Sequence, residues 1–150
     1  MRIRTFNYLA TIVLLLLCLQ ARAADASDAA KALVGKAVAF LKANGKDKAL
    51  AEFNNPKGKF VEGELYVFVL DKDGTTLANG VNPKIVGKNV MDMRDQNGKH
   101  FIKELFSVAN AKGAGWVDYQ WPDPVTQKLR AKSTWVEKSG DWLLCAGVYR

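Results

Sequence analysis

Lys132 stands between Ala131 and Ser133 in a stretch that alternates like a strand, and Tyr66, Phe68, Trp116 and Tyr119 fall on other strand-like stretches. A lysine ammonium held in a half-apolar pocket is a cation awaiting a carboxylate. Aromatic walls around it would exclude water, and tyrosine hydroxyls would orient a polar ligand. The plainer alternative is a lysine on an exposed sheet face and aromatics in an ordinary core. Catalysis asks for more: a nucleophile with its base, a carboxylate pair or a metal cluster. The sole histidine, His100, opens an expected helix beside Lys99, faces water in this reading and has no Ser or Cys partner pattern. Asp71-x-Asp73-Gly74 begins like a calcium loop, but position 12 of that pattern is Asn82 rather than Glu, which leaves a hairpin turn. Asp92, Asp95 and Asn97, before Gly98, read as turn and helix-cap residues. No catalytic residue, metal or cofactor is expected.

The elements that must position these residues can be read from periodicity. Ala30, Leu33, Val34, Ala37, Phe40 and Leu41 form one apolar face and predict a helix over 28–43, stopped by Asn44-Gly45. A shorter helix over 46–53 presents Leu50 and Phe53, and Asn54–Gly58 is turn chemistry. Leu65–Leu70 is continuously apolar, so a strand covered on both faces is expected. Asp71–Gly74 turns it into a second strand at Thr75–Ala78. An irregular stretch over 79–98, long enough to be functional or to carry a helical turn, precedes a helix over 99–111 that stops at Gly113. Three strands follow, at Trp116–Trp121, Lys128–Val136 and Trp142–Tyr149. Alternation sets Trp116 on the face opposite Val117, Tyr119 and Trp121. The order defines an α+β chain: an antiparallel sheet of about five strands, a long N-terminal helix and a crossover helix.

The chain has 150 residues, about one domain, with 22 basic and 15 acidic residues. Part of that basicity belongs to an address. Met1–Ala23 has Arg2 and Arg4, an apolar run centred on Leu9–Leu19 and the closing triplet Ala21-Arg22-Ala23, which together read as a signal peptide. The run is short for a membrane span of roughly 20 residues, although an uncleaved N-terminal anchor in the inner membrane is the alternative. Cleavage would remove three arginines and no acid, leaving 19 basic against 15 acidic residues over 24–150. Such a charge, without dense Lys/Arg clusters, argues against nucleic acid as a partner. Of the two cysteines only Cys145 would remain, expected to be buried and inert. A periplasmic domain spanning 24–150 is expected.

The residues also resemble a family. Tyr66–Gly74, Asn82-Pro83, Val86–Asn89, Gly115–Pro124, Lys132-x-Ser, Asp141-Trp142 and Gly147–Tyr149 are similar, in order and spacing, to the single Cache domain of bacterial extracytoplasmic sensors. The second single-Cache subtype is the one resembled, from about Lys31 to Arg150. The chain departs from the family where Asn79-Gly80-Val81 stands in place of a common histidine, and where Thr134-Trp135 follows Ser133 instead of the usual tyrosine. The resemblance implies a PAS-like fold and a ligand cavity roofed by residues 79–98, with Tyr66, Phe68, Trp116, Tyr119 and Lys132 around it. It implies binding of a small, anionic metabolite such as a carboxylate, and partnership with a membrane sensor kinase or chemoreceptor, as a monomer or a homodimer. The other function consistent with the chain is an interaction module that holds no ligand and pairs with itself or a membrane sensor.

Overall fold

A computed structural model describes the backbone of residues 6–150 and the side chains from residue 25 onward. The side chains of the expected leader, Met1–Ala23, lie outside the described residues. Helix α1 runs Phe6–Asn44, so it begins well before the expected start at 28. The physical reason is local: Gln20–Lys31 contains six alanines and no glycine or proline, so nothing interrupts the helix there. The amphipathic part behaves as its spacing requires. Ala30, Leu33, Val34, Ala37 and Val38 are buried, with Phe40 and Leu41 packed at the margin. Gly45, at φ 78°, turns the chain into α2 (Lys46–Phe53), which buries Ala49 and Phe53 while Leu50 is only half-buried.

The sheet is antiparallel throughout. Strands β1 (Val61–Glu62), β2 (Leu65–Leu70), β3 (Thr76–Asn79), β4 (Ala114–Pro122), β5 (Leu129–Ser139) and β6 (Trp142–Tyr149) give the order β1-β2-β6-β5-β4, with β3 also paired to β2. Strand β1, two residues long, was not among the expected elements. Strand β5 runs three residues further than expected because Glu137, Lys138 and Ser139 pair with Leu144, Leu143 and Trp142 right up to the turn at Gly140. Helix α3 (Phe101–Lys112) ends as expected at Gly113, φ 78°, whose N–H donates to the Ala109 carbonyl. The 79–98 stretch is irregular apart from a 3-10 turn at Pro83–Ile85.

Continuous apolarity in β2 follows from cover on both faces. Val67 and Val69 join Leu33, Val34, Ala37, Phe53, Leu144 and Ala146 on the helix side. Tyr66, Phe68 and Leu70 join Val90, Phe101, Ile102, Leu105 and Cys145 on the side covered by α3 and the 79–98 stretch. Each fully buried valine or leucine contributes roughly 1.5–3 kcal/mol, so α1 is held lengthwise against the sheet by its stripe. The fold is thus two apolar layers divided by one sheet, and the loop-side layer holds the site.

Candidate ligand-binding site

Period-two alternation along four strands brings one set of side chains to the loop side. Lys132 and Thr134 come from β5, Tyr119 from β4, Tyr149 and Gly147 from β6, and Tyr66 and Phe68 from β2. Lys132 is opposite Tyr149 in the ladder, and Thr134 is opposite Gly147. Lys132 lies two strands away from Tyr66, yet its Nζ donates to the Tyr66 hydroxyl at 2.9 Å. The lysine stem reaches it by lying over Gly147. A Cβ built on that glycine would stand 2.5 Å from Lys132 Cε and would also collide with Thr134 Oγ1. Gly147 leaves the groove through which the ammonium crosses β6.

Lys132 is 1% exposed and, among the described residues, forms no ion pair. Its charge is instead surrounded by ring faces: Tyr66 at 4.1 Å from the centroid, Tyr149 at 4.7 Å and Phe68 at 5.8 Å. Such contacts are worth about 2 kcal/mol or more when desolvated. They do not supply acceptors, and an ammonium has three donors of which the Tyr66 oxygen takes one. Tyr66 accepts from Lys132, and its hydroxyl also lies beside that of Tyr149. Burial pushes the Tyr119 and Tyr149 hydroxyls well above the ordinary phenol range, so both remain neutral. Tyr119 Oη and Thr134 Oγ1 are 2.9 Å apart, and Tyr149 donates to the Pro122 carbonyl. Phe101 at the start of α3 stacks on Tyr119 at 4.2 Å and holds that ring against the sheet.

Tyr66, Phe68 and Tyr119 form one wall of a partly open cavity of about 30 Å3, completed by Leu70, Thr76, Asn79, Val90, Met93, Phe101 and Trp121 among others. That volume accommodates about two water molecules. The 79–98 stretch supplies part of its cover, as expected. Lys132 is not itself in the wall; it sits one layer behind, bonded to Tyr66. A groove of about 400 Å3 between residues 81–84 and 121–127 reaches the same Tyr66 and Trp121 from the outside.

Of the five residues expected around the cavity, Tyr66, Phe68 and Tyr119 line it, Lys132 lies behind Tyr66, and Trp116 is on the other face of the sheet. It lies on the helix side of the sheet, edge-on to its ladder partner Trp135 at 5.3 Å, with the Lys31 ammonium over both rings. The alternation that sends Tyr119 to the cavity sends Trp116 away from it. Trp121, absent from the expected set, takes the position at the rim, as do Thr76 and Asn79 in the wall. Alternation could have found Trp121, since it shares a face with Tyr119.

A second charged cluster braces the groove. Asp123 is fully buried, and its carboxylate accepts from Arg130 at 2.6 Å and from the Val125 and Thr126 N–H groups. Burial alone would raise its pKa, but Arg130 and the two backbone donors hold it at about 2. Arg130 also bonds Glu64, tying the 122–128 turn to the start of β2. Asp71 organises the β2–β3 hairpin, where its carboxylate accepts the Asp73 and Thr75 N–H groups. Among the described residues no group of three or more His, Cys, Asp or Glu converges to hold a metal ion. His100 takes the N-cap position of α3 without a side-chain capping bond and is half-buried rather than solvent-facing, because the chain entering α3 is bonded to β4 through Asp95 and Lys99. Cys145 is a free, fully buried thiol whose pKa burial pushes up.

A five-strand antiparallel path with a helix layer on one side and a cavity under a long connection on the other defines a PAS-like sensory domain. The chain belongs to the single Cache domain 2 family, whose model matches residues 27–150. It is 28% identical over 86 residues to the methyl-accepting chemotaxis protein McpP of Pseudomonas putida, and 33% identical over 86 residues to the sensor histidine kinase MctS of Rhizobium johnstonii. Each match covers 56% of this chain but only 16% and 18% of those longer proteins. The crystal structure of a methyl-accepting chemotaxis protein from Vibrio parahaemolyticus superposes with a TM-score of 0.74 at 25% identity, covering 90% of this chain and 95% of that one.

Proposed function

We propose that this chain is a periplasmic sensory module that binds a small carboxylate at the Tyr66 end of the loop-side cavity and performs no chemistry on it. The observation that carries this reading is Lys132: a fully buried ammonium with two donors to spare and no carboxylate of its own. Lysine is almost never fully buried unless paired, and an unpaired buried cation is costly. A ligand carboxylate would complete the pair. Tyr66, with Lys132 donating to its oxygen, would turn its polarised O–H from Tyr149 to such a group, and charge-assisted bonds of this kind are about twice as strong as neutral ones.

The cavity has room for about two waters, so uptake of a larger ligand would move the 79–98 cover outward. The groove that ends at Tyr66 and Trp121 gives the route in. Met1–Ala23 supports export, and the family supports a sensory role beside a membrane chemoreceptor or histidine kinase. Among the described residues no helix is long and apolar enough to cross a membrane.

Titration calorimetry and thermal shift on the protein recovered from the periplasm, against a panel of small carboxylates, amino acids and amines, test the reading. A ligand at 100 times its dissociation constant adds about 2.7 kcal/mol of stability. Binding confined to carboxylates is the expected result. No response to any small molecule would favour the interaction module instead. Intact mass on the same material is expected to begin at Ala24, and retention of Met1 would make the chain an anchored protein.

A further inference from the structure

Thr76 gives the cavity a second polar end. Its residue is 1% exposed and lines the cavity wall, and its Oγ1 is buried without any hydrogen-bond partner. The backbone around it is fully engaged: the Thr76 N–H donates to the Lys88 carbonyl, and the Thr76 carbonyl accepts from Gly87. Only the hydroxyl is left over. A buried hydroxyl without a partner is destabilising where a valine of the same shape would not be. This one lines a cavity whose wall also carries the polar Tyr66, Asn79 and Tyr119 beside the apolar Leu70, Val90 and Met93.

The spacing of the two ends follows from the sheet. Thr76 is opposite Leu70 in the β2–β3 ladder, placed there by the irregularity between Val69 and Leu70. Tyr66 lies four residues back along β2, roughly 13 Å of strand, part of which the tyrosine side chain fills. A ligand touching both ends therefore carries its second oxygen several bonds from its carboxylate.

We propose that the ligand of this cavity is a short carboxylate bearing a hydroxyl or carbonyl oxygen at the far end of its carbon chain, received by Thr76. A threonine hydroxyl donates to a carbonyl and accepts from a hydroxyl, so it serves either. This rests on the carboxylate reading and specifies what else the molecule carries. Thr76 is a specificity residue whose two roles have opposite signs: removing its hydroxyl relieves the empty protein and weakens the complex.

Calorimetry with butyrate, 2-hydroxybutyrate and 4-hydroxybutyrate decides it. Wild type is expected to bind 4-hydroxybutyrate about three- to tenfold more tightly than butyrate, the net worth of one hydrogen bond. Thr76→Val is expected to erase that margin, Thr76→Ser to keep most of it, and ligand-free Thr76→Val to melt no lower than wild type. Equal affinity of wild type for the three acids, or a margin that survives in Thr76→Val, overturns the assignment and leaves the carboxylate reading standing. A lower melting temperature for ligand-free Thr76→Val would mean the fold already satisfies the hydroxyl, and overturns it too. Failure of these three acids while other carboxylates bind overturns the Thr76 assignment alone. Failure of every carboxylate overturns both.

Discussion

Lys132 and Tyr66 are 66 residues apart in sequence and two strands apart in the sheet, and the lysine ammonium nonetheless donates to the tyrosine hydroxyl at 2.9 Å. One residue of each type becomes a composite donor: a phenol aimed at the cavity and a charge behind it.

Lys132→Met keeps most of the stem and removes the charge. Carboxylate affinity is expected to fall about ten- to a hundredfold, from the 1.5–3 kcal/mol of a charged hydrogen bond at 1.4 kcal/mol per decade. The fold should survive, since an unpaired cation is replaced by an apolar chain. Calorimetry on both proteins, with circular dichroism for the fold, makes the comparison. Equal affinities would show that the ammonium plays no part in binding.

Gly147→Ala acts on the same group from beneath. Its Cβ occupies the path of Lys132 Cε and Thr134 Oγ1, so the ammonium is pushed off the Tyr66 hydroxyl and carboxylate affinity falls. The double variant Lys132→Met/Gly147→Ala should lose less affinity than the two single losses combined, because the ammonium that the alanine displaces is already gone. Additive losses would show that Gly147 affects binding by another route.

Leu33→Asp places a charge at a position 4% exposed in the layer between α1 and the sheet. Loss of the side chain alone costs about 2–5 kcal/mol, and the buried carboxylate adds to it. Chemical denaturation should show the protein largely unfolded. An unchanged midpoint would mean that α1 does not hold the sheet.

Asp123 links stability to acid. Its carboxyl titrates at about 2 in the folded chain, below the ordinary value of 3.8. A depressed folded value stabilises above the unfolded pKa, and that stability is lost as pH falls from about 4 towards 2. Asp123→Asn should therefore have a flatter melting temperature across that window than wild type. Parallel acid limbs in the two proteins would count against the Arg130 clamp.

The elements that carry the site were legible because they are held by strong local signals. Continuous apolarity marked β2 as covered on both faces, and Gly45 and Gly113 marked the ends of two helices where φ turns positive. What escaped depended on relations between strands. Trp116 was grouped with Tyr119 by family likeness although alternation already opposed them. The placement of Lys132 behind Tyr66 depends on a missing side chain at Gly147, on the strand β6 that separates β5 from β2, and a glycine carries no periodic signal. Thr76 faces the cavity only because the ladder slips between Val69 and Leu70 and leaves Leu77 unpaired. A register slip of one residue reverses every face after it, and nothing in Thr75-Thr76-Leu77 announces one.

The four tryptophans are divided by the sheet. Trp121 stands at the cavity rim, whereas Trp135 and Trp142 pack into the helix-side layer and Trp116 lies against Trp135. Their emission therefore sorts by location without any added label. A Trp121→Phe protein is blind to the cavity and still sees α1 settle on the sheet, while the wild-type signal minus that one isolates events at the rim. The chain carries its own two-channel fluorescence reporter, one channel for filling and one for the face turned toward the helix.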